Sequence, residues 1–203
     1  MPGKTETDYK TLTDEELILL FQQEDVKAFN ELVNRYKDRL VNFIFRYTGN
    51  KEESEDLAQD TFLRLYKSKH LYVEIAKFST WFYTIALNLT RTYMNKKNKM
   101  KTTSISNYYD DEEKDYELTS GYILPDDSAN AATEGEIIQN AISSLNPKFR
   151  EVIILRDIQD LDYEEISKIT SLPLGTVKSR INRGRECLKE MLESLHKSKT
   201  KKQ

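Results

Sequence analysis

The sequence predicts an all-α protein made of two small helical domains joined by a flexible acidic linker. Three observations carry this: apolar residues recur at three- and four-residue spacing on both sides of a middle stretch, no β alternation of useful length occurs, and the middle stretch loses its period and turns acidic. At 203 residues with 38% hydrophobic content, the chain can build two compact cores.

Thr13 followed by Glu16 reads as a capping box that opens a short helix through Leu17, Leu20 and Phe21. A second start at Asp25 leads into Phe29, Leu32, Val33, Tyr36, Leu40, Phe43, Ile44 and Tyr47, one apolar face of a long helix that ends at Gly49. Asn50, with Glu53 at the third position, caps a third helix that turns Leu57, Ala58, Thr61, Phe62, Leu65 and Tyr66 inward. From Lys67 to Lys77 the period is lost and a loop is expected. A fourth helix from about Ser79 repeats Phe82, Ile85, Leu89 and Tyr93 before the NKKNKMK run, where it should dissolve. Helical order resumes near Glu136 with Ile137, Ile138, Ala141 and Ile142. Asn146 and Pro147 then supply an N-cap and first-turn proline for a helix through Phe149, Val152, Ile153 and Leu155. The expected organisation is a disordered tail over 1–12, a domain over 13–100, the linker over 101–135, a second domain over 136–195 and a basic tail over 196–203.

The net charge of −3 is unevenly spread. Residues 1–100 hold 16 basic and 15 acidic residues, 101–135 hold 2 and 9, and 136–203 hold 13 and 10. Residues 75–109 carry six basic residues (Lys77, Arg91, Lys96, Lys97, Lys99, Lys101) and no acid, and residues 166–185 carry five (Lys168, Lys178, Arg180, Arg183, Arg185) and no acid. Two one-signed stretches are what two phosphate-facing surfaces require. One cysteine, Cys187, cannot form an internal disulfide, and with His70 and His196 it makes no zinc-ligand set, so no cofactor, metal or catalytic group is expected. No apolar run approaches the roughly eighteen residues of a membrane span, and the opening MPGKTETDYK lacks a secretion signal's apolar stretch. The expectation is a cytoplasmic protein without membrane insertion.

The segment LDYEEISKITSLPLGTVKSRINRGRECL has the form of a helix-turn-helix. Asp162 and Glu165 can cap a first short helix with Ile166 and Ile169 inward, and TSLP turns the chain. A second helix from Leu174 to Thr176 onward buries Val177, Ile181 and Leu188. Its outward residues are Lys178, Ser179, Asn182, Arg183 and Arg185. Such a helix can enter a major groove, where Arg suits guanine and Asn suits adenine.

The stretch SLNPKFREVIILRDIQDLDYEEISKITSLPLGTVKSRINRGRECL resembles region 4 of extracytoplasmic-function (ECF) sigma factors. AFNELVNRYKDRLVNFIFRYTGNKEESEDLAQDTFLRLYKS with KFSTWFYTIALNLTRTYMNKK is similar to their region 2. The resemblance implies that Asp56, Gln59 and Asp60, with Leu57 and Phe62 nearby, dock on core RNA polymerase. It implies that the fourth helix and its preceding loop open the promoter −10 element and capture an unstacked base. There, Tyr72 and Tyr83 are the expected stacking residues, Asn88 a contact to the element, and Lys77, Arg91, Lys96 and Lys97 the backbone grip. Phe78, Phe82 and Trp81 share the inward stripe and are expected in the core. In the second domain Arg156, Thr176, Lys178, Ser179, Arg180, Asn182 and Arg183 are the expected −35 contacts. The implied partners are core polymerase, promoter DNA and an anti-sigma factor. Three departures stand out: Ser171 where the turn often has Gly, Thr84 and Thr92 in place of residues commonly polar or basic, and a longer, more acidic tether.

Two other readings are weaker. A free-standing regulator with the same helix-turn-helix would need a sensory first domain, and residues 10–100 offer no ligand-pocket composition and no strand ending in a phosphoacceptor Asp. A metal-dependent nucleotide hydrolase could use Glu52, Glu53, Glu55, Asp56 and Asp60, but a two-metal site needs acids facing them from a second helix, and the fourth helix has none.

Overall fold

The computed structural model describes residues 8–103 and 133–200, so most of the expected linker lies outside the described residues. Eight α-helices and no strand are found among them: α1 (Asp14–Gln22), α2 (Val26–Thr48), α3 (Lys51–Ser68), α4 (Phe78–Thr103), α5 (Glu134–Ser144), α6 (Pro147–Ile153), α7 (Tyr163–Thr170) and α8 (Leu174–Thr200). A 3-10 turn at Lys69–Leu71 follows α3, and a wider π-helical turn at Ile154–Ile158 ends α6.

Local chemistry sets most helix starts. The Thr13/Glu16 and Asp162/Glu165 capping boxes form, and Thr133 with Glu136 makes a third, so the first N–H groups of α1, α5 and α7 are satisfied by side chains. Asp25 and Asn50 cap α2 and α3, and Gly49 ends α2 in the left-handed region at φ 65°. Three expectations about segment ends change. Residues 8–12 form an anchored turn: Arg35 donates to the carbonyls of Tyr9, Lys10 and Leu12 while pairing with Asp14 and Glu31. Helix α4 does not dissolve at NKKNKMK but runs on to Thr103, and α8 runs through the start of the expected basic tail to Thr200. Both runs lack an apolar face yet contain no helix breaker, and lysines near a helix C-terminus complement its dipole.

In the first unit α2 is the central element. Tyr36 and Phe43 on α2 meet Phe82 and Tyr83 on α4 edge to face, with ring centroids 5.2 Å apart in both the Tyr36–Phe82 and Phe43–Tyr83 pairs. Such pairs add about 0.5–1.5 kcal/mol each beyond the area they bury. Phe78 and Phe82 stack on one another in the same core.

The second unit is built on α6 against α8. Gly184 of α8 lies buried over Ile153 of α6, and its lack of a side chain lets the two helices approach. Ser171 takes φ 60°, the left-handed cap of α7. A residue with a Cβ costs roughly 1 kcal/mol more than glycine there, and the turn is held nonetheless by Ser167 Oγ donating to the Leu172 carbonyl. The buried side chains of both units form one continuous cluster, with α4 packed on α7 and α2 on α5.

Candidate nucleic-acid and polymerase interfaces

The helix-turn-helix is formed by α7, its turn and the start of α8. Ile166, Ile169, Val177 and Ile181 are buried, which fixes the angle between the two helices. Facing outward from α8, Lys178, Ser179, Asn182 and Arg183 are exposed, while Thr176 and Arg180 are half-buried. Arg185 is drawn back by Asp157 on the end of α6, with Nε 3.1 Å from the carboxylate. Arg156 is a strut as well as a cation: it donates to the Leu161 carbonyl at 2.7 Å and closes the π turn whose exit residue Asp160 sits at φ 56°. Tyr163 was not foreseen. Its ring lies 5.2 Å from the Arg156 guanidinium and 5.8 Å from the Lys178 ammonium, so it holds two of the expected −35 cations by their charge on its π face. The signal was an aromatic residue directly after an N-cap.

The −10 candidates scatter. Tyr72 and Tyr83, expected to stack on bases, are 4% and 0% exposed, which corrects that expectation for this arrangement. Tyr72 packs on Phe78 and Trp81 and donates to the Ala76 carbonyl at 3.0 Å, so it anchors its own loop. Tyr83 donates to Gln159 at 2.6 Å, and burial pushes its phenol up to about 12. Asn88 and Lys96 are exposed one above the other on α4, together with Thr92 between them. The other three cations are engaged. Arg91 makes a two-bonded pair with Glu151, Lys97 pairs with Glu53, and Lys77 lies 2.9 Å from Glu165 and 3.9 Å from Asp162. The Glu165 carboxylate beside Lys77 raises the ammonium above the ordinary lysine range.

The loop before α4 also shows something the lost period hid. Its backbone is pinned by Gln22, which donates to the Lys69 and Tyr72 carbonyls, and by Glu15, which accepts from the Phe78 N–H. On that fixed frame Leu71, Val73 and Ile75 stand exposed, Ile75 at 86%.

On α3, Asp56, Gln59 and Asp60 share one exposed face, and Leu63 continues it one turn on, half-exposed at 51%. Leu57 and Phe62, expected with them, belong elsewhere: Leu57 is buried on the inward stripe with Thr61 and Leu65, and Phe62 packs on Phe82. Tyr66, expected inward, is 42% exposed at the edge of the Phe21–Phe29 pair. No group of three or more His, Cys, Asp or Glu among the described residues could hold a metal ion.

Comparison with known proteins agrees with this layout. Residues 32–100 match the Sigma-70 region 2 family and residues 135–188 match Sigma-70, region 4. The chain is 37% identical over 179 residues to the ECF RNA polymerase sigma factor SigW of Bacillus subtilis, covering 84% of this chain and 92% of that one. It is 31% identical over 189 residues to the ECF RNA polymerase sigma-E factor of Escherichia coli, covering 91% and 96%. Among solved structures, its fold is similar to the sigma factor RpoE in complex with the anti-sigma factor NepR from Bartonella quintana, with a TM-score of 0.65 at 22% identity over 82% of this chain and 98% of that one. It is equally similar in fold to CnrH in complex with the cytosolic domain of CnrY, with a TM-score of 0.64 at 19% identity over 89% and 97%. With a region 2 unit, a region 4 helix-turn-helix and close relatives over most of its length, the chain belongs to the ECF RNA polymerase sigma factors of the sigma-70 family.

Proposed function

We propose that this transcription initiation factor divides its work between its two units. The first unit docks core RNA polymerase through Asp56, Gln59, Asp60 and Leu63 on α3 and reads the −10 element through α4 and the loop before it. The second reads the −35 element as duplex through Lys178, Ser179, Asn182 and Arg183, with Thr176, Arg180 and Arg156 at the edge. Each grip is modest, and selectivity arises when polymerase holds both at fixed separation, because tethering turns the second contact into an intramolecular one. The protein acts by binding, with no chemistry of its own, on the DNA and polymerase of the cytoplasm. No helix among the described residues is long and apolar enough to cross a membrane. An anti-sigma factor is the third partner, by likeness in fold to a sigma factor solved in complex with one.

The observation that carries this reading is the outward face of α8: four exposed polar and basic side chains on a helix whose opposite face is locked into the domain core. Arg183→Ala should cost about 1–3 kcal/mol at promoters with guanine at the contacted position. Run-off transcription with core polymerase on a genomic fragment library measures it. Output should fall on a subset of promoters and persist on the rest. An equal loss everywhere, or none, contradicts the assignment.

A further inference from the structure

The stretch from Lys69 to Lys77 is tied at both ends to one short helix. Along it Tyr72 is buried, while Leu71, Val73 and Ile75 face solvent. A loop that exposes its apolar side chains is not held by burying them, and polar groups of α1 hold it instead. At the entry, the Gln22 amide uses both of its hydrogens on the loop, donating to the Lys69 carbonyl at 2.8 Å and to the Tyr72 carbonyl at 2.9 Å. At the exit, the Glu15 carboxylate accepts from the Phe78 N–H at 2.8 Å. That bond satisfies an orphan donor of α4 and sets a negative charge at the positive end of its dipole.

Lys69 makes the entry firmer. Its ammonium is buried, a costly place for a charge, yet it lies 4.4 Å from the centre of the Phe21 ring, 5.3 Å from that of Tyr66 and 2.8 Å from the Glu24 carboxylate. Glu24 itself takes φ 70°, in the left-handed region that penalises a residue with a Cβ, so the chain accepts local strain where that carboxylate meets Lys69. Packing alone does not ask for this, because a methionine would fill the same aromatic notch with no charge to desolvate. Gln22 and Glu15 both lie ahead of residues 32–100, the stretch matched to region 2. We propose that Gln22 and Glu15 are positioning residues for strand capture: from α1 they hold the 69–77 loop in the shape that receives the single strand of the opened −10 element. The proposal rests on the reading of this loop as part of the −10 surface. The gain is preorganisation. A free loop must be ordered at the moment of binding, and its apparent affinity falls with the fraction of time it spends in the competent shape. Docking through α3 and duplex contact through α8 use other elements, so neither should feel the clamp.

Trp81 is the sole tryptophan of the chain and packs on Tyr72 and Phe78, so its quenching by acrylamide in the full chain reports the clamp directly. The full chain assembled with core polymerase is then given two probes made from one promoter recovered by run-off selection: a closed duplex, and a fork that is duplex upstream and single-stranded across the −10 element. Gln22→Met keeps the length of the side chain, removes both donors and adds no charge near DNA. It should raise Trp81 quenching and weaken fork binding about tenfold, as follows if the freed loop is competent about a tenth of the time. Closed-duplex binding and the urea midpoint should be unchanged. Glu15→Ala should act in the same direction from the other end of the loop. Glu15→Gln removes the same charge, but its amide oxygen can still accept from the Phe78 N–H, so it should behave as wild type. A role confined to stability would lower the urea midpoint and weaken both probes together, and that result overturns the proposal. So does quenching that stays at the wild-type level, or that rises without loss of fork binding. Should Gln22→Met fail to fold, the Glu15→Ala and Glu15→Gln pair decides by the same readouts. A wild type that binds the fork no better than the duplex overturns the functional reading of the loop and the proposal with it, a failure visible before any variant is compared.

Discussion

Reversing the charge of the α3 face, Asp56→Arg with Asp60→Arg, is expected to abolish co-purification with core polymerase and to reduce transcription on every promoter alike. Both carboxylates are exposed, and the inward stripe of α3 runs through Leu57, Thr61 and Leu65, so the fold should be unaffected. Truncating one partner of a desolvated charge pair costs roughly 2–5 kcal/mol, and placing like charges face to face costs several more. Two reversals on a face that docks through its acids should therefore weaken binding by on the order of a hundredfold or more. Leu63 lies beside the acids, 51% exposed, and adds an apolar contact to the proposed docking face. Binding to duplex DNA through α8 should be untouched. Retention of polymerase by the double variant would move the docking surface elsewhere.

Gly184→Val is expected to lower the unfolding free energy by about 3 kcal/mol, at the upper end of what overpacking a close contact costs. A Cβ at position 184 would meet Ile153 Cγ1 at 2.7 Å and Cδ1 at 3.1 Å, and Phe149 Cβ at 3.4 Å. Ile153 cannot swing away, because its β-branched side chain is restricted at χ1 and it is buried itself. In an exposed helix interior, valine would improve on glycine, so helix propensity predicts a gain. Urea unfolding separates the two: a midpoint unchanged or raised means that α6 and α8 do not pack through this glycine. Since α8 also carries the proposed −35 face, the same substitution should blunt promoter selectivity by tilting that helix, even where the protein remains folded.

Features with a local cause were legible in the sequence. The Thr13/Glu16 and Asp162/Glu165 boxes, the Asn146–Pro147 start and the Gly49 stop each depend on residues within one turn of one another, and each forms as the spacing predicts. The apolar stripe of α2 was equally plain. Features that depend on what lies across a helix were not. Tyr83 and Trp81 stand two positions apart with similar chemistry, yet Tyr83 is enclosed by Tyr36, Phe43 and Gln159 while Trp81 is half-buried, and only the placement of α2 and α6 decides between them. Periodicity reports burial rather than helicity, so it lost α4 at the point where the helix leaves the core and continues into solvent. The polar seam between the units was invisible for a third reason. Glu151, Gln159 and Glu165 look like ordinary surface residues, and their partners are 60 or more positions away.

The central claim is that two weak grips become selective when polymerase holds them. The direct measurement is binding to a promoter recovered by run-off selection against a scrambled duplex of the same length, by the purified chain alone and by the chain with core polymerase. The account predicts little discrimination by the chain alone and strong discrimination once polymerase is present. Tight, sequence-specific binding without polymerase would contradict it and identify a free-standing regulator instead.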